Sequence, residues 1–189
     1  MGRCKSSSHR AAASVKAIRL GPEHADRYRE LMLEGYTLHP DAFTSTAAER
    51  AALPLTWWQD RVKDDPSPSA LVLGVEGEDG LAGAVALLFE TRDKIRHKST
   101  LVGLYVRERF RKSGIGSALV HCLLATVRAR PGVVLVQLTV SNHNDAAKRL
   151  YQRFGFVEFG VEPCAMAVAN TYVDKCHMWC DLRRAGALA

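Results

Sequence analysis

No apolar run in the sequence approaches the roughly 20 residues of a membrane-spanning helix, so neither a helical membrane protein nor a membrane partner is expected. The opening residues, MGRCKSSSHRAAASV, are basic and Ser-rich but lack the apolar core of a secretory signal. Cys4, Cys122, Cys164, Cys176 and Cys180 are odd in number and show no framework spacing, so no disulfide scaffold is expected. Reduced thiols in a chain without a secretion signal make the cytoplasm the expected compartment. Cys176-His177-Met178-Trp179-Cys180 resembles a metal motif, but a strand would turn His177 away from both cysteines, so no metal is expected. The net charge of +6 does not reach the body of the chain. Arg3, Lys5, Arg10, Lys16 and Arg19 supply five of those charges, with no acid among the first 19 residues. A nucleic-acid surface needs a basic stripe on the folded part, and none is read here.

What is present suits one globular domain with a core. The composition is 47% apolar and 24% charged. Residues 1–14 read as a disordered leader, 15–182 as the domain and 183–189 as a C-terminal tail. Ser14–Leu20 alternates like a first strand. Pro22 opens a helix in which Ala25, Tyr28, Leu31 and Met32 recur at helical spacing. Thr46 and Glu49 form a capping box ahead of a second helical region, which Pro54 breaks or restarts. Trp57 and Trp58 in that region read as packing residues. Two apolar runs flank Gly77–Gly80 as a hairpin. A strand over Ser99–Val106 follows, then a helix repeating Ile115, Leu119, Leu123 and Val127. Residues 133–140 are nearly all apolar and read as a strand buried on both faces. A last helix ends at Gly155, and two closing strands follow. Hairpin strands followed by alternating helices imply a mixed sheet flanked by helices.

The segment Arg109–Val120, RFRKSGIGSALV, puts two glycines at the head of an amphipathic helix. A Walker-type loop needs a Lys after its last glycine, and Gly116 is followed by Ser117. A dinucleotide fingerprint needs a third glycine where Leu119 stands, and an acid that Val140–Asn142 do not supply. What remains is Arg111-x-x-Gly114-x-Gly116 between a strand and a helix. Free amides and the helix dipole bind an anion there, and the glycines let the chain curl close to it. Arg111 and Lys112, with Arg107 and Arg109 nearby, add cationic attraction.

This loop, after a strand ending Gly103-Leu104-Tyr105-Val106, resembles the acetyl-CoA loop of the GNAT acetyltransferase superfamily. Asn144–Phe156, NDAAKRLYQRFGF, matches a second pattern of that family at Asn144, Ala147, Leu150, Tyr151, Gly155 and Phe156. The resemblance extends over about Val15 to Leu182. It implies a single α/β (α+β) domain whose mixed, mostly antiparallel sheet has about seven strands, flanked by about four helices. It also implies acetyl-CoA as co-substrate, an amine of a small molecule, amino acid or peptide as acceptor, and a homodimer as one assembly open to the chain. A non-catalytic acyl-CoA sensor is the alternative function.

By that resemblance, Leu104, Tyr105 and Val106 turn backbone groups toward the pantetheine arm. Gly103 marks either a bulge that frees them or room for a bulky neighbour. Arg111, Lys112, Ser113, Gly114, Ile115, Gly116 and Ser117 take the diphosphate, with Ala147 beside them. Asn144 holds the cofactor or caps its helix. Tyr151 is the implied acid for the leaving thiolate, although an inward helical tyrosine taken alone reads as a core residue. The base is not assigned: Glu90, His97, Glu108 and an ordered water all remain. The acceptor side is expected from the first two helices and the segment between them.

Overall fold

The computed structural model describes residues 15–65 and 69–184. The expected leader at 1–14, and the tail beyond Arg184, lie outside the described residues. Seven strands form one sheet: β1 (Ala17–Arg19), β2 (Ala70–Gly77), β3 (Gly80–Phe89), β4 (Lys98–Val106), β5 (Leu135–Ser141), β6 (Val157–Val168) and β7 (Thr171–Asp181). Their spatial order is β1-β2-β3-β4-β5-β7-β6. Every neighbouring pair is antiparallel except β4 with β5. The mixed, mostly antiparallel sheet expected from the sequence is present.

Five α-helices rather than four flank it: α1 (Ala25–Leu38), α2 (Ala47–Ala51), α3 (Leu55–Val62), α4 (Ile115–Arg128) and α5 (Asp145–Arg153). The extra one arises at Pro54, which lacks an N–H and becomes the N-cap of α3, so the second helical region is two helices. The box at Thr46 and Glu49 closes reciprocally and starts α2.

Alternation along β2–β4 builds two cores. On one face Leu71, Leu73, Leu87 and Leu101 pack with Leu119, Leu123 and Val127 of α4. On the other, Val72, Ala84 and Ala86 pack with Tyr28, Leu31, Met32 and Trp58 of α1 and α3. Tyr28 and Trp58 meet edge to face, with ring centroids 5.7 Å apart. One expectation fails. β5 is not buried on both faces, because Val136, Leu138 and Val140 are buried whereas Gln137 is half-buried and Thr139 exposed. The α1 and α3 layer packs on β2, β3 and β4, so the face of β5 that carries Gln137 and Thr139 is left partly open. On β7, Cys176 and Cys180 are buried while His177 points the other way to Glu162 at 3.1 Å, so these three do not converge on an ion. Among the described residues, no helix is long and apolar enough to cross a membrane.

Candidate active site

β4 leaves the sheet through a short 3-10 turn, Glu108–Phe110, and enters α4 at Gly114. Lys112 at φ 63° and Gly114 at φ 88° both lie in the left-handed region, and together they curl the intervening chain. Ser113 Oγ donates to the Phe110 carbonyl at 2.5 Å and closes that curl. The first helical bond runs from the Ala118 N–H to the Gly114 carbonyl, so the amides of Ile115, Gly116 and Ser117 lie ahead of the ladder. A Cβ on Gly116 would stand 3.5 Å from Leu150, which shows how closely α4 and α5 approach there.

Between these elements lies a cavity of about 540 Å³. Val106, Arg111, Lys112, Gly114, Ile115, Gly116, Ser117 and Ala147, all singled out from the sequence, line it. Arg153 lines it too and reaches Ser117 Oγ at 3.4 Å. Sequence reasoning missed Arg153, although it stands inside the second motif. Free amides at a helix N-terminus flanked by Lys112 and Arg153 can hold a multivalent anion.

Other residues sit differently. The Arg111 guanidinium is already engaged by neighbours: it lies 2.6 Å from His39 Nε2 and donates to the Val106 carbonyl at 3.3 Å and Glu108 at 3.4 Å. Arg107 and Arg109 are engaged away from this cavity. Arg107 is buried, donates to Glu30 at 2.6 Å and stands in an ion pair with Glu34 at 3.0 Å, while Arg109 pairs with Asp79 at 3.1 Å. Asn144 caps α5, its side chain accepting from the Ala147 N–H at 3.1 Å. Tyr105 points to the α1 layer and donates to Glu34 at 2.9 Å. Burial, then that carboxylate, push its phenol up to about 12.

Beside the cavity the sheet opens. The parallel ladder of β4 and β5 stops at Thr100↔Gln137. On the β3 side, Ala84 pairs with Tyr105 and Ala86 with Val102, so Gly103 and Leu104 together oppose Val85. This is a bulge, with Gly103 at φ 64°. The early end of the parallel ladder leaves the β4 backbone beyond Thr100 without a β5 partner on the side of the opening, and the bulge interrupts the ladder on the β3 side. Tyr151 is buried against the α4 core with its ring 5.7 Å from Phe156. Burial pushes its phenol up, so it stays protonated near neutral pH.

Of the base candidates, Glu90 and His97 lie at the wrong end. The Glu90 amide bonds the Lys98 carbonyl, where β4 begins, and the curl follows its other end. A strand of that length spans about 30 Å. The antiparallel turn between β3 and β4 carries them away. A second cavity, of about 580 Å³, lies between residues 36–48 and the turn of the β6–β7 hairpin at 165–169. Tyr36, Phe43 and the alanines Ala47, Ala48, Ala165 and Ala167 give it apolar walls, and Thr37, Thr44, Ser45 and Thr46 line it too. The hairpin wall was not foreseen, because Cys164–Ala169 carries no strand alternation.

The profile of the Acetyltransferase (GNAT) family matches residues 27–156. An L-amino acid N-acetyltransferase, AaaT of Escherichia coli K12, is 26% identical over 121 residues, covering 64% of this chain and 73% of that protein. The yncA protein of Salmonella typhimurium, solved with its cofactor acetyl-CoA, superposes with a TM-score of 0.73 at 19% identity, covering 90% of this chain and 95% of that one. A GNAT-family acetyltransferase of Streptococcus pneumoniae gives 0.71 at 21% identity, covering 88% and 98%.

Proposed function

Because the chain belongs to the GNAT acetyltransferase family, we propose that it moves the acetyl group of acetyl-CoA to a primary amine of a small molecule, amino acid or peptide. The observation that carries this reading is the curl at Lys112–Gly114, with unladdered amides and two cations facing one cavity. Those features fit a diphosphate. The acetyl-CoA in the yncA structure supports the same ligand class.

Acetyl-CoA supplies the activated acyl group; the chain supplies placement and proton handling. In this reading the amides of Ile115, Gly116 and Ser117, with Lys112 and Arg153, hold the diphosphate. The freed backbone near Leu104 and Tyr105 orients the arm, so that fixed geometry replaces a bimolecular encounter. An N–H from the same bulge meets the charge that grows on the carbonyl oxygen. Tyr151 gives its proton to the departing thiolate. Its burial supports that role, because a phenol held neutral retains a proton to donate. The second cavity receives the acceptor, and its mixture of apolar and hydroxyl-bearing walls suits a small amine with both apolar and polar parts. Amino acids are the first class to try, since AaaT is named for acting on them.

Thiol release from acetyl-CoA, measured with the proteinogenic L-amino acids and simple alkyl amines, tests the proposal. Turnover with at least one of them is expected. Tight CoA binding without turnover on any amine would make the chain a sensor instead.

A further inference from the structure

Transfer to an amine also requires a group that takes the ammonium proton, since the charged amine has no lone pair to attack with. Glu90 and His97 stand too far away, and Glu108 is engaged by Arg111. A titratable pair instead joins the two loops that adjoin these cavities. His143 Nε2 is 2.8 Å from Asp41 Oδ2. Asp41 belongs to the loop whose Pro40 and Phe43 line the acceptor cavity. His143 lies in the β5–α5 connection, next to the N-cap Asn144 and three residues before Ala146, which with Ala147 lines the anion cavity.

The carboxylate is not on a loose segment. Ser141 Oγ donates to the Asp41 backbone carbonyl. Lys175 Nζ donates to the Ala42 carbonyl at 3.2 Å and to Ser141 Oγ at 3.3 Å. Ser141 and Lys175 are paired in register on β5 and β7, at 1% and 4% exposure. A lysine that deeply buried is uncommon, and burial lowers its pKa, with the Asp41 charge opposing that shift. Its polar contacts all serve the loop that carries Asp41.

We infer that His143 is the general base of the acetyl transfer, oriented by Asp41, with Ser141 and Lys175 as positioning residues that fix the carboxylate. The inference rests on the acetyltransferase reading above. With Nε2–H donated to Asp41, Nδ1 is the basic atom, and the side chain is 61% exposed, so an acceptor can reach it. Nδ1 takes one proton from the ammonium. The freed nitrogen attacks the acetyl carbonyl, the C–N bond forms and the C–S bond breaks. The nitrogen's second surplus proton replaces the one Tyr151 delivers to sulfur, and His143 returns its own to solvent. The products are an N-acetyl amine, CoA thiol and one proton. The charged group in contact with His143 is Asp41 of the acceptor loop; Lys175 acts on that carboxylate from beneath the loop, and on α5 the Asp145 amide donates to the His143 carbonyl at 3.0 Å while Lys148 is paired with Glu158 at 3.2 Å.

The test uses the full chain with acetyl-CoA and, as probes, the proteinogenic L-amino acids and simple alkyl amines, comparing wild type with His143→Gln, His143→Ala and Asp41→Asn. His143→Gln should lower kcat about 100-fold at pH 7, in the range of a positioned base, and remove the acid limb of the kcat/KM profile. Its acetyl-CoA affinity and melting temperature should stay close to wild type. Added imidazole should restore part of the activity of His143→Ala, which a merely structural role would not allow. Asp41→Asn should cost about tenfold. Wild-type turnover with His143→Gln within about threefold and an unchanged pH profile overturns the assignment while leaving the acetyltransferase reading intact. Absence of thiol release by wild type with every probe overturns both.

Discussion

Replacing Gly114 by Asp places one carboxylate at the curl while leaving the surrounding packing alone. A Cβ there meets nothing within 4 Å, so no clash is introduced. The backbone at φ 88° and ψ −4° is left-handed, which Asp and Asn tolerate at a similar cost of about 1 kcal/mol. Gly114→Asn therefore shares the backbone strain, and the Asp–Asn difference isolates the charge. A carboxylate about 5 Å from one diphosphate charge loses about 1 to 3 kcal/mol, depending on local screening. Acetyl-CoA should thus bind Gly114→Asp about 5- to 150-fold more weakly than Gly114→Asn. Calorimetric titration at low and high salt measures this, and the gap should narrow with salt. Equal affinities for the two variants at low salt, with both folded, would refute an anion site at this loop.

Tyr151→Phe keeps the contact with Phe156, so the melting temperature should hold within a few degrees while kcat falls about tenfold or more and the KM for acetyl-CoA changes little. Steady-state kinetics reads that split. Arg107→Met strands Glu30 and Glu34, and because both carboxylates are partly solvated it should cost about 2 kcal/mol in a urea melt. At the end of β7, hydrogen bonds from Arg183, opposed by burial, hold the Asp181 carboxyl down to about 2. A depressed carboxylate contributes stability that is complete above its unfolded value of about 4 and fades as pH falls toward 2. Thermal melts between pH 5 and pH 2 should therefore fall less steeply for Asp181→Asn than for wild type. Gly103→Ala forces a Cβ into the left-handed bulge, only 3.4 Å from Met32, and should lower stability by about 1 to 2 kcal/mol in the same melts.

Much of the fold could be read locally. The capping box at Thr46, the two-residue turn between Gly77 and Gly80, and the left-handed glycine ahead of α4 are chemical constraints visible within a few residues. Gly103 left two readings open in the sequence, and the register of β3 with β4 decides for the bulge. What was not legible depends on distant partners. Arg107 looked like a cation for the loop, yet it faces α1, and only the packing of Glu30 and Glu34 beside β4 shows where its charge goes. Glu90 stood as one candidate base at a strand end, and strand direction puts that end beside Lys98. Asp41 and His143 stand 102 residues apart and carry no motif, so chain proximity gave no sign of their contact. The polar Gln137 and Thr139 did announce an open face on β5, and the apolar reading of that run passed over them.

A crystal structure of the chain grown with acetyl-CoA tests the cofactor site most directly. The diphosphate should lie within hydrogen-bond distance of the amides between Lys112 and Ser117, with Arg153 alongside and the thioester in the opening between β4 and β5. Density for the diphosphate anywhere else, with that loop bare at saturating acetyl-CoA, would contradict it.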